Sequence, residues 1–132
     1  RALCLGVGCR RGIETERLKD TVFRALEEAN LSLDSVKILA SIDLKSDEQA
    51  VRELAEDCGW ELRFFSAEEL RAVPGSFSGS DFVKKTVGVD NVCERAALAA
   101  APGGRLVMEK HAGNGVTAAA ALGKVRIVPK GE

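Results

Sequence analysis

Residues 2–29 read ALCLGVGCRRGIETERLKDTVFRALEEA, and the spacing of their apolar residues changes once along this stretch. The continuous apolar run at residues 2–7 is typical of a short buried strand. A glycine-rich turn follows it, and the next apolar residues recur at the three- and four-residue spacing of a helix. The stretch therefore predicts one strand and then one helix, whose apolar face is formed by Leu18, Val22, Ala25, Leu26 and Ala29.

The same strand-then-helix pattern occurs twice more along the chain. Apolar residues 36–42 predict a second strand, and SDEQ at residues 46–49 is a capping-box pattern that predicts the start of the second helix. Residues 62–65 predict a third strand, and SAEE at residues 66–69 repeats the capping-box pattern before a third helix. Three consecutive βα units predict parallel strands joined by right-handed crossovers.

The last third of the chain carries the signals of a helix and a hairpin. Residues 91–101 predict a fourth helix, which ends at a Pro-Gly-Gly sequence. Residues 105–110 and 116–128 predict strands, and Asn114-Gly115 between them is typical of an antiparallel hairpin. The alanine run at 118–121 is compatible with a short helix, but we favour a strand. Together the elements predict a three-layer α/β/α fold with a mixed, mainly parallel sheet and a C-terminal antiparallel hairpin.

The length and the charge of the chain limit the classes of protein it can belong to. Its 132 residues are 45% hydrophobic, which suits a single domain over residues 1–132. With 19 basic and 20 acidic residues the net charge is −1, so no nucleic acid is expected as a partner. The sequence contains no apolar run long enough to cross a membrane and no secretory signal, so we expect a cytoplasmic protein. Because a predicted strand starts almost at Arg1, we expect a domain of a longer protein.

The cysteines and the histidine offer little catalytic chemistry. The four cysteines are scattered, without a C-x-x-C pair, so we expect reduced thiols. His111 is the only histidine, which argues against a zinc site and against a Ser-His-Asp triad, and we expect no cofactor of the protein's own. Cys9 follows a predicted strand beside two arginines, where the pKa of its thiol would be lowered. The alternative, which we favour, is a small packed residue.

The loop after the first strand has the chemistry of an anion-binding loop. Parallel strands gather their carboxyl-end loops at one edge of the sheet, where ligands bind. Here Gly8 and Gly12 allow close backbone approach, and the loop amides can point at an anion near the helix N-terminus. Arg10 and Arg11 can recognise carboxylate or phosphate. The glycine spacing misses the dinucleotide fingerprint by one residue, which disfavours NAD. The alternative is a plain tight turn with solvated or acid-paired arginines.

The loop after the second strand is predicted to lie beside the first. If the strand continues, Asp43 and Lys45 lie on the same face and present a carboxylate and an ammonium beside the arginines. A carboxylate there could act as a base or orient a water molecule. The alternative is that Asp43 pairs with Arg10 or Arg11. For Asp47 and Glu48 we favour a role in the first turn of the second helix.

The long loop at residues 74–88 is a further candidate. Loops of this length in small domains are usually functional or mobile. Phe77 and Phe82 are large apolar residues within it, and Lys84 and Lys85 would add positive charge if the loop covers the crevice. Solvated surface lysines are the alternative interpretation.

Four segments of the chain carry a resemblance to a known family. They are LGVGCRRG at residues 5–12, LASIDLKSDE at residues 39–48, FF at residues 64–65 with the helix after it, and VGVDNVCERAALAA at residues 87–100. In this order, over nearly the whole chain, they resemble the C-terminal domain of the cobalamin biosynthesis protein CbiG, a domain that also occurs alone as CobE. VTAAAAL at residues 116–122 resembles the closing strand of the family.

The resemblance implies a place in the construction of the corrin ring. CbiG is associated with opening the ring-A δ-lactone of cobalt-precorrin-5A, with loss of a two-carbon fragment as acetaldehyde. This substrate is a flat apolar macrocycle rimmed with carboxylates, and its cobalt belongs to the substrate. The implied partners are a corrinoid intermediate and the N-terminal regions of a longer protein, with other corrin-pathway enzymes as further candidates.

Three hypotheses about function follow from the resemblance and from the charged loops. The first is a part in cobalt-precorrin-5A hydrolysis, with Asp43 as the candidate for activating water. The alternative is a non-catalytic module that binds or carries a carboxylated corrinoid, and subunit contact in a biosynthetic complex is a third hypothesis. The expected substrate-binding residues are Gly8, Cys9, Arg10, Arg11, Gly12, Lys45, Phe77, Lys84 and Lys85.

Overall fold

The computed structural model describes residues 3–74 and 91–123. Phe77, Phe82, Lys84 and Lys85 lie outside these ranges, so their predicted role in binding stays a prediction. The described residues form four helices, which are α1 (Thr15–Glu28), α2 (Gln49–Cys58), α3 (Ala67–Arg71) and α4 (Val92–Ala100). They also form five strands, which are β1 (Leu3–Cys9), β2 (Val36–Ile42), β3 (Glu61–Phe65), β4 (Arg105–Gly113) and β5 (Val116–Leu122).

The strands of the described residues form one mixed sheet in the order β3-β2-β1-β5-β4. β1 is parallel to β2, and β2 is parallel to β3. β5 runs antiparallel to both β1 and β4. The predicted fold class, with parallel βα units and a C-terminal antiparallel hairpin, is therefore confirmed.

Alternation along the strands divides the core into two halves. Leu3, Leu5 and Val7 of β1 face one side of the sheet and pack with the apolar faces of α1 and α2. Cys4, between them, faces the other side and packs with residues of α3 and α4. Both sides are covered by helices, which explains the nearly continuous apolar runs of β1 and β2.

α4 lies directly on β1 and runs in the opposite direction. A β-carbon at Gly6 would stand 1.9 Å from the carbonyl oxygen of Cys93 near the start of the helix. Nearer the other end of the helix, the thiol of Cys4 donates to the carbonyl of Ala100 at 3.5 Å. The N-terminus of α4 therefore lies at the edge of the sheet where β1 ends. We call this edge, where β1, β2 and β3 end, the carboxyl edge.

The start of α2 differs from the prediction. The prediction of a capping box at residues 46–49 is wrong, because α2 begins at Gln49 and no side chain caps it. The residues before α2 form two turns. In the first, the amide of Ser46 donates to the carbonyl of Asp43 at 2.9 Å, and in the second the amide of Glu48 donates to the carbonyl of Lys45 at 3.0 Å. By contrast, the predicted capping box between Ser66 and Glu69 is present at the start of α3, with both of its hydrogen bonds.

The hairpin between β4 and β5 forms at the predicted residues. Asn114 and Gly115 both have positive φ angles, 54° and 79°, as a two-residue type I′ turn requires. The alanine run at 118–121 lies in β5 and is fully buried, so the strand that we favoured is confirmed. Of the predicted strand at 116–128, β5 accounts for the part to Leu122, and residues 124–132 lie outside the described part of the chain.

Candidate functional site

The loops after β1 and β2 meet at the carboxyl edge, as the topology predicts. The backbone amide of Gly12 donates to Oε1 of Glu48 at 2.9 Å. Beside this contact the guanidinium of Arg11 lies 3.8 Å from the carboxylate of Asp47, with both side chains more than 70% exposed. Two neighbouring contacts thus connect the glycine-arginine loop to the segment before α2.

Glu48 is a buried acid with a role different from the predicted one. It immediately precedes α2, only 6% exposed, but its carboxylate caps no amide of its own helix. Instead it accepts from Gly12, whose φ of +78° is the left-handed conformation that glycine adopts at low cost. The loop does hold a carboxylate on a backbone amide, as an anion-binding loop would, but the carboxylate belongs to this chain.

Arg10 is directed to a different part of the edge from Arg11. Its amide donates to the carbonyl of Gly115 in the hairpin turn at 3.0 Å. A β-carbon at Gly115 would lie 3.1 Å from Cδ of Arg10, so the arginine side chain runs along that turn. Because Arg11 lies near Asp47, the two guanidinium groups leave the loop in different directions. Both arginines are exposed.

Asp43 and Lys45 do not share the face of an extended strand. β2 ends at Ile42, and residues 43–45 form a single turn of 3-10 helix, so the strand alternation on which we predicted their pairing stops before them. Asp43 is exposed, and its carboxylate has no hydrogen bond or ion pair with another described residue. The alternative, that Asp43 pairs with Arg10 or Arg11, is not observed among the described residues, and Asp47 lies beside Arg11 instead.

The thiol of Cys9 is not activated. Burial raises its pKa above the ordinary value, the positive charge of Lys45 lowers it, and the negative charge of Glu48 raises it. The lowered pKa expected from the neighbouring arginines is wrong, because Cys9 is half-buried against the α1 and α2 side of the core. Cys9 is thus a packed small residue.

Gly8 lies inside β1 rather than in a flexible turn. A β-carbon there would stand 2.8 Å from Oγ1 of Thr117 in β5. That hydroxyl also approaches the Gly8 carbonyl at 3.5 Å. Glycine at this position therefore leaves room for the Thr117 side chain on the α4 side of the sheet.

A second polar cluster, which was not predicted from the sequence, lies at the same edge, at the start of α4. Asn91 has a left-handed backbone, and its Oδ1 accepts from the amide of Glu94 at 3.2 Å. Glu94, 1% exposed, accepts from Nδ2 of Asn91 and from the amide of Lys110, each at 2.6 Å. The sequence signal was available, since Asn followed three residues later by Glu is an N-terminal helix pattern. Burial raises the pKa of the adjacent Cys93 to about 12.

The only histidine, His111, lies in β4 opposite Ala118 of β5. His111 approaches Glu28 of α1 at 3.8 Å. Within residues 3–74 and 91–123, no three His, Cys, Asp or Glu side chains are grouped as metal ligands. The helices described in the structure include none that is both long enough and apolar enough to cross a membrane.

An open groove of about 470 Å³ lies between α3 and the C-terminal half of α4. Among the described residues that line it, none is basic and Glu69 alone is acidic. The carboxyl edge, where the arginines lie, therefore suits the binding of a carboxylate-rich ligand better than this groove does. The groove is lined mainly by Phe65, Ala72, Val73, Pro74, Leu98 and Pro102.

The fold and the site together define an α/β/α domain that presents exposed cationic side chains at the carboxyl edge of a mixed sheet. The family described as Cobalamin synthesis G C-terminus matches residues 3–121, and the chain belongs to this family. The resemblance seen in the four sequence segments is thereby confirmed.

Two curated relatives illustrate the match. The Cobalt-precorrin-5A hydrolase of Priestia megaterium is 34% identical over 122 residues, which are 92% of this chain and 32% of that protein. Protein CobE of Sinorhizobium sp is 31% identical over 90% of this chain and 79% of its own length. The chain thus spans about a third of the Priestia protein and most of CobE.

Solved structures of the family share the fold. The crystal structure of CobE, described as a protein from the cobalamin (vitamin B12) biosynthetic pathway, superposes with a TM-score of 0.84 at 35% identity, covering 92% of this chain and 89% of that one. The crystal structure of cobalamin biosynthesis protein chiG from Agrobacterium tumefaciens gives a TM-score of 0.72 at 29% identity, covering 93% of this chain and 99% of that one.

Proposed function

We propose that this chain acts in cobalamin biosynthesis as the part of a cobalt-precorrin-5A hydrolase that holds the carboxylated corrinoid while its δ-lactone is opened. The observation that carries the proposal is the separation of two exposed arginines at the carboxyl edge, with Arg10 along the hairpin turn and Arg11 beside Asp47. The family, and the name of the Priestia relative, supply the substrate class.

The chemistry of the substrate fits this arrangement. A corrinoid intermediate is a flat apolar ring with carboxylates spaced around its rim, so it needs several cations at different points rather than one strong site. Guanidinium groups bind carboxylates through two parallel hydrogen bonds. Arginines that leave one loop in different directions can reach two carboxylates of one ring. The half-buried Lys45 supplies a third positive charge near the same edge.

For the hydrolytic step we assign Asp43 as the residue that orients or deprotonates water. Its carboxylate is exposed at the end of β2, where the two loops meet, and no described residue neutralises it. An unpaired carboxylate can accept a proton from water as an ester carbonyl is attacked. In this proposal the cobalt arrives with the substrate, the protein works in the cytoplasm, and the rest of a longer hydrolase and other corrin-pathway enzymes are its protein partners.

The test measures corrinoid binding and acetaldehyde release in parallel. Cobalt-precorrin-5A is titrated with the chain and followed by its absorption spectrum, and acetaldehyde is assayed after incubation. The full-length Priestia relative serves as the control that the substrate is competent. We expect the chain to bind the corrinoid, and Asp43→Asn to abolish any acetaldehyde that the chain releases. Failure of the chain to bind a substrate that the relative consumes would overturn the proposal.

A further inference from the structure

Glu48 connects two loops of the carboxyl edge although it is not one of the exposed groups there. Its carboxylate accepts from the amide of Gly12, 36 residues earlier in the chain, at 2.9 Å. The backbone of Glu48 is itself fixed by a hydrogen bond, because its amide donates to the carbonyl of Lys45 at 3.0 Å. The side chain is 6% exposed, so it is not available to hold a ligand itself. The hydrogen bond between Glu48 and Gly12 therefore stabilises the loop that contains Gly12.

The Gly12 amide belongs to the residue that follows Arg11. A φ of +78° at Gly12 turns the chain sharply after the two arginines, and this turn presents the amide to Glu48. Removing the carboxylate would leave a polar backbone group without its partner and would release the turn from the segment before α2. The direction in which Arg11 leaves the loop depends on that turn.

We propose that Glu48 is a positioning residue for ligand binding, which holds the glycine-arginine loop through Gly12 so that Arg11 faces the carboxylated ligand. The inference rests on the proposed function for the identity of the ligand. Its structural part, the hold of Glu48 on the loop, stands on the contacts of the described residues alone. Glu48 touches no reacting atom in this arrangement and acts only through the backbone of the loop.

The chain offers a matched control in Glu53, one turn further along α2. Its carboxylate accepts from the hydroxyl of Thr15, at the start of α1, and from Nε2 of Gln49 at 2.7 Å. Like Glu48, it connects α2 with the region after β1. Unlike Glu48, it contacts the helix and not the loop. Loosening of the two helices in general would affect Glu53→Ala and Glu48→Ala alike.

The experiment compares Glu48→Ala, Glu48→Gln and Glu53→Ala, with cobalt-precorrin-5A as the probe and the far-ultraviolet circular dichroism as a check of folding. We expect Glu48→Ala to weaken binding about tenfold, because the loop loses its hydrogen bond to a charged group. Glu48→Gln keeps an acceptor oxygen for Gly12 and should stay within about threefold of the unmodified chain. Glu53→Ala should stay within about twofold. Equal losses of affinity for cobalt-precorrin-5A in Glu48→Ala and Glu53→Ala would overturn the assignment.

Two further readouts separate this inference from the proposed function. In an Arg11→Ala background, Glu48→Ala should cause little additional loss, since residues that act as one unit are not additive. Hydrogen exchange at the Gly12 amide needs no ligand and should be faster in Glu48→Ala but not in Glu53→Ala. An unchanged exchange rate refutes the role of Glu48 whatever the ligand. Absence of corrinoid binding by the unmodified chain, with the exchange result as expected, refutes only the proposed function.

Discussion

The backbone of Gly6 in β1 faces the carbonyl of Cys93 in α4 so closely that a β-carbon on residue 6 would lie 1.9 Å from that oxygen and 2.7 Å from the amide nitrogen of Ala97. These neighbours are backbone atoms of a helix, which cannot move aside as the end of a flexible side chain can. α4 therefore rests on the strand itself, and Gly6 sets the distance between two layers of the fold.

Gly6→Ala is accordingly expected to lower the free energy of unfolding by about 3 kcal/mol or more, because the helix must shift away from the sheet. Gly113→Ala is the control. Gly113 has an ordinary φ, and a β-carbon added there would meet no atom within 4 Å, so its replacement should change stability by less than about 0.5 kcal/mol. Urea denaturation of the two variants measures the difference. Equal midpoints would show that α4 is not seated on Gly6.

The fold was predictable from sequence where the signals are local. The change from an apolar run to helical spacing after residue 9 and the Asn114-Gly115 turn each depend on a few neighbouring residues, and both are confirmed. The start of α2 was not predictable in this way. Asp43 and Ser46 close a turn of their own, so the predicted capping pattern lies two residues before the observed start of the helix.

The site was predictable only in part, for a physical reason. Parallel topology brings the loops after β1 and β2 together, and that much is confirmed by the contact between Gly12 and Glu48. Which acid meets which donor depends on distances of a few ångströms that no pattern encodes. Asp47 rather than Asp43 therefore lies beside Arg11, and burial outweighs nearby positive charge at Cys9.

Separate removal of the two arginines tests whether they bind separate carboxylates. Arg10→Ala and Arg11→Ala should each weaken binding of cobalt-precorrin-5A about three- to tenfold without unfolding the chain, and the free-energy losses should add in the double variant. Arg24→Ala removes an exposed arginine of α1 and should have no effect. An absorption titration gives the affinities. A double variant no weaker than either single one would mean that the arginines share one carboxylate, and unchanged affinity would exclude the loop.

Substitution of Glu48 and substitution of Lys45 are expected to change the reactivity of the Cys9 thiol in opposite directions. Glu48 raises the pKa of the Cys9 thiol, so Glu48→Gln should lower that pKa and speed alkylation. Lys45 lowers the same pKa, so Lys45→Gln should raise it and slow alkylation. Iodoacetamide labelling at mildly alkaline pH, followed by peptide mass spectrometry, measures both rates, and Cys9→Ser identifies the labelled site. Changes in the same direction in both variants would indicate altered access to the thiol rather than altered charge.

Because both carboxylate oxygens of Glu94 accept hydrogen bonds, we expect the conservative substitution Glu94→Gln to lower the stability of the fold. Both accept a hydrogen bond, one from Nδ2 of Asn91 and one from the amide of Lys110, and the side chain is buried. Glutamine has one acceptor oxygen, so Glu94→Gln should set its amide nitrogen against one of these donors and cost about 1–3 kcal/mol of stability. Glu69→Gln is the control, since among the described residues this exposed acid accepts through one oxygen, from the amide of Ser66, and glutamine can replace it. Thermal unfolding of the two variants compares them, and equal stability would show that the buried carboxylate does not need both acceptors.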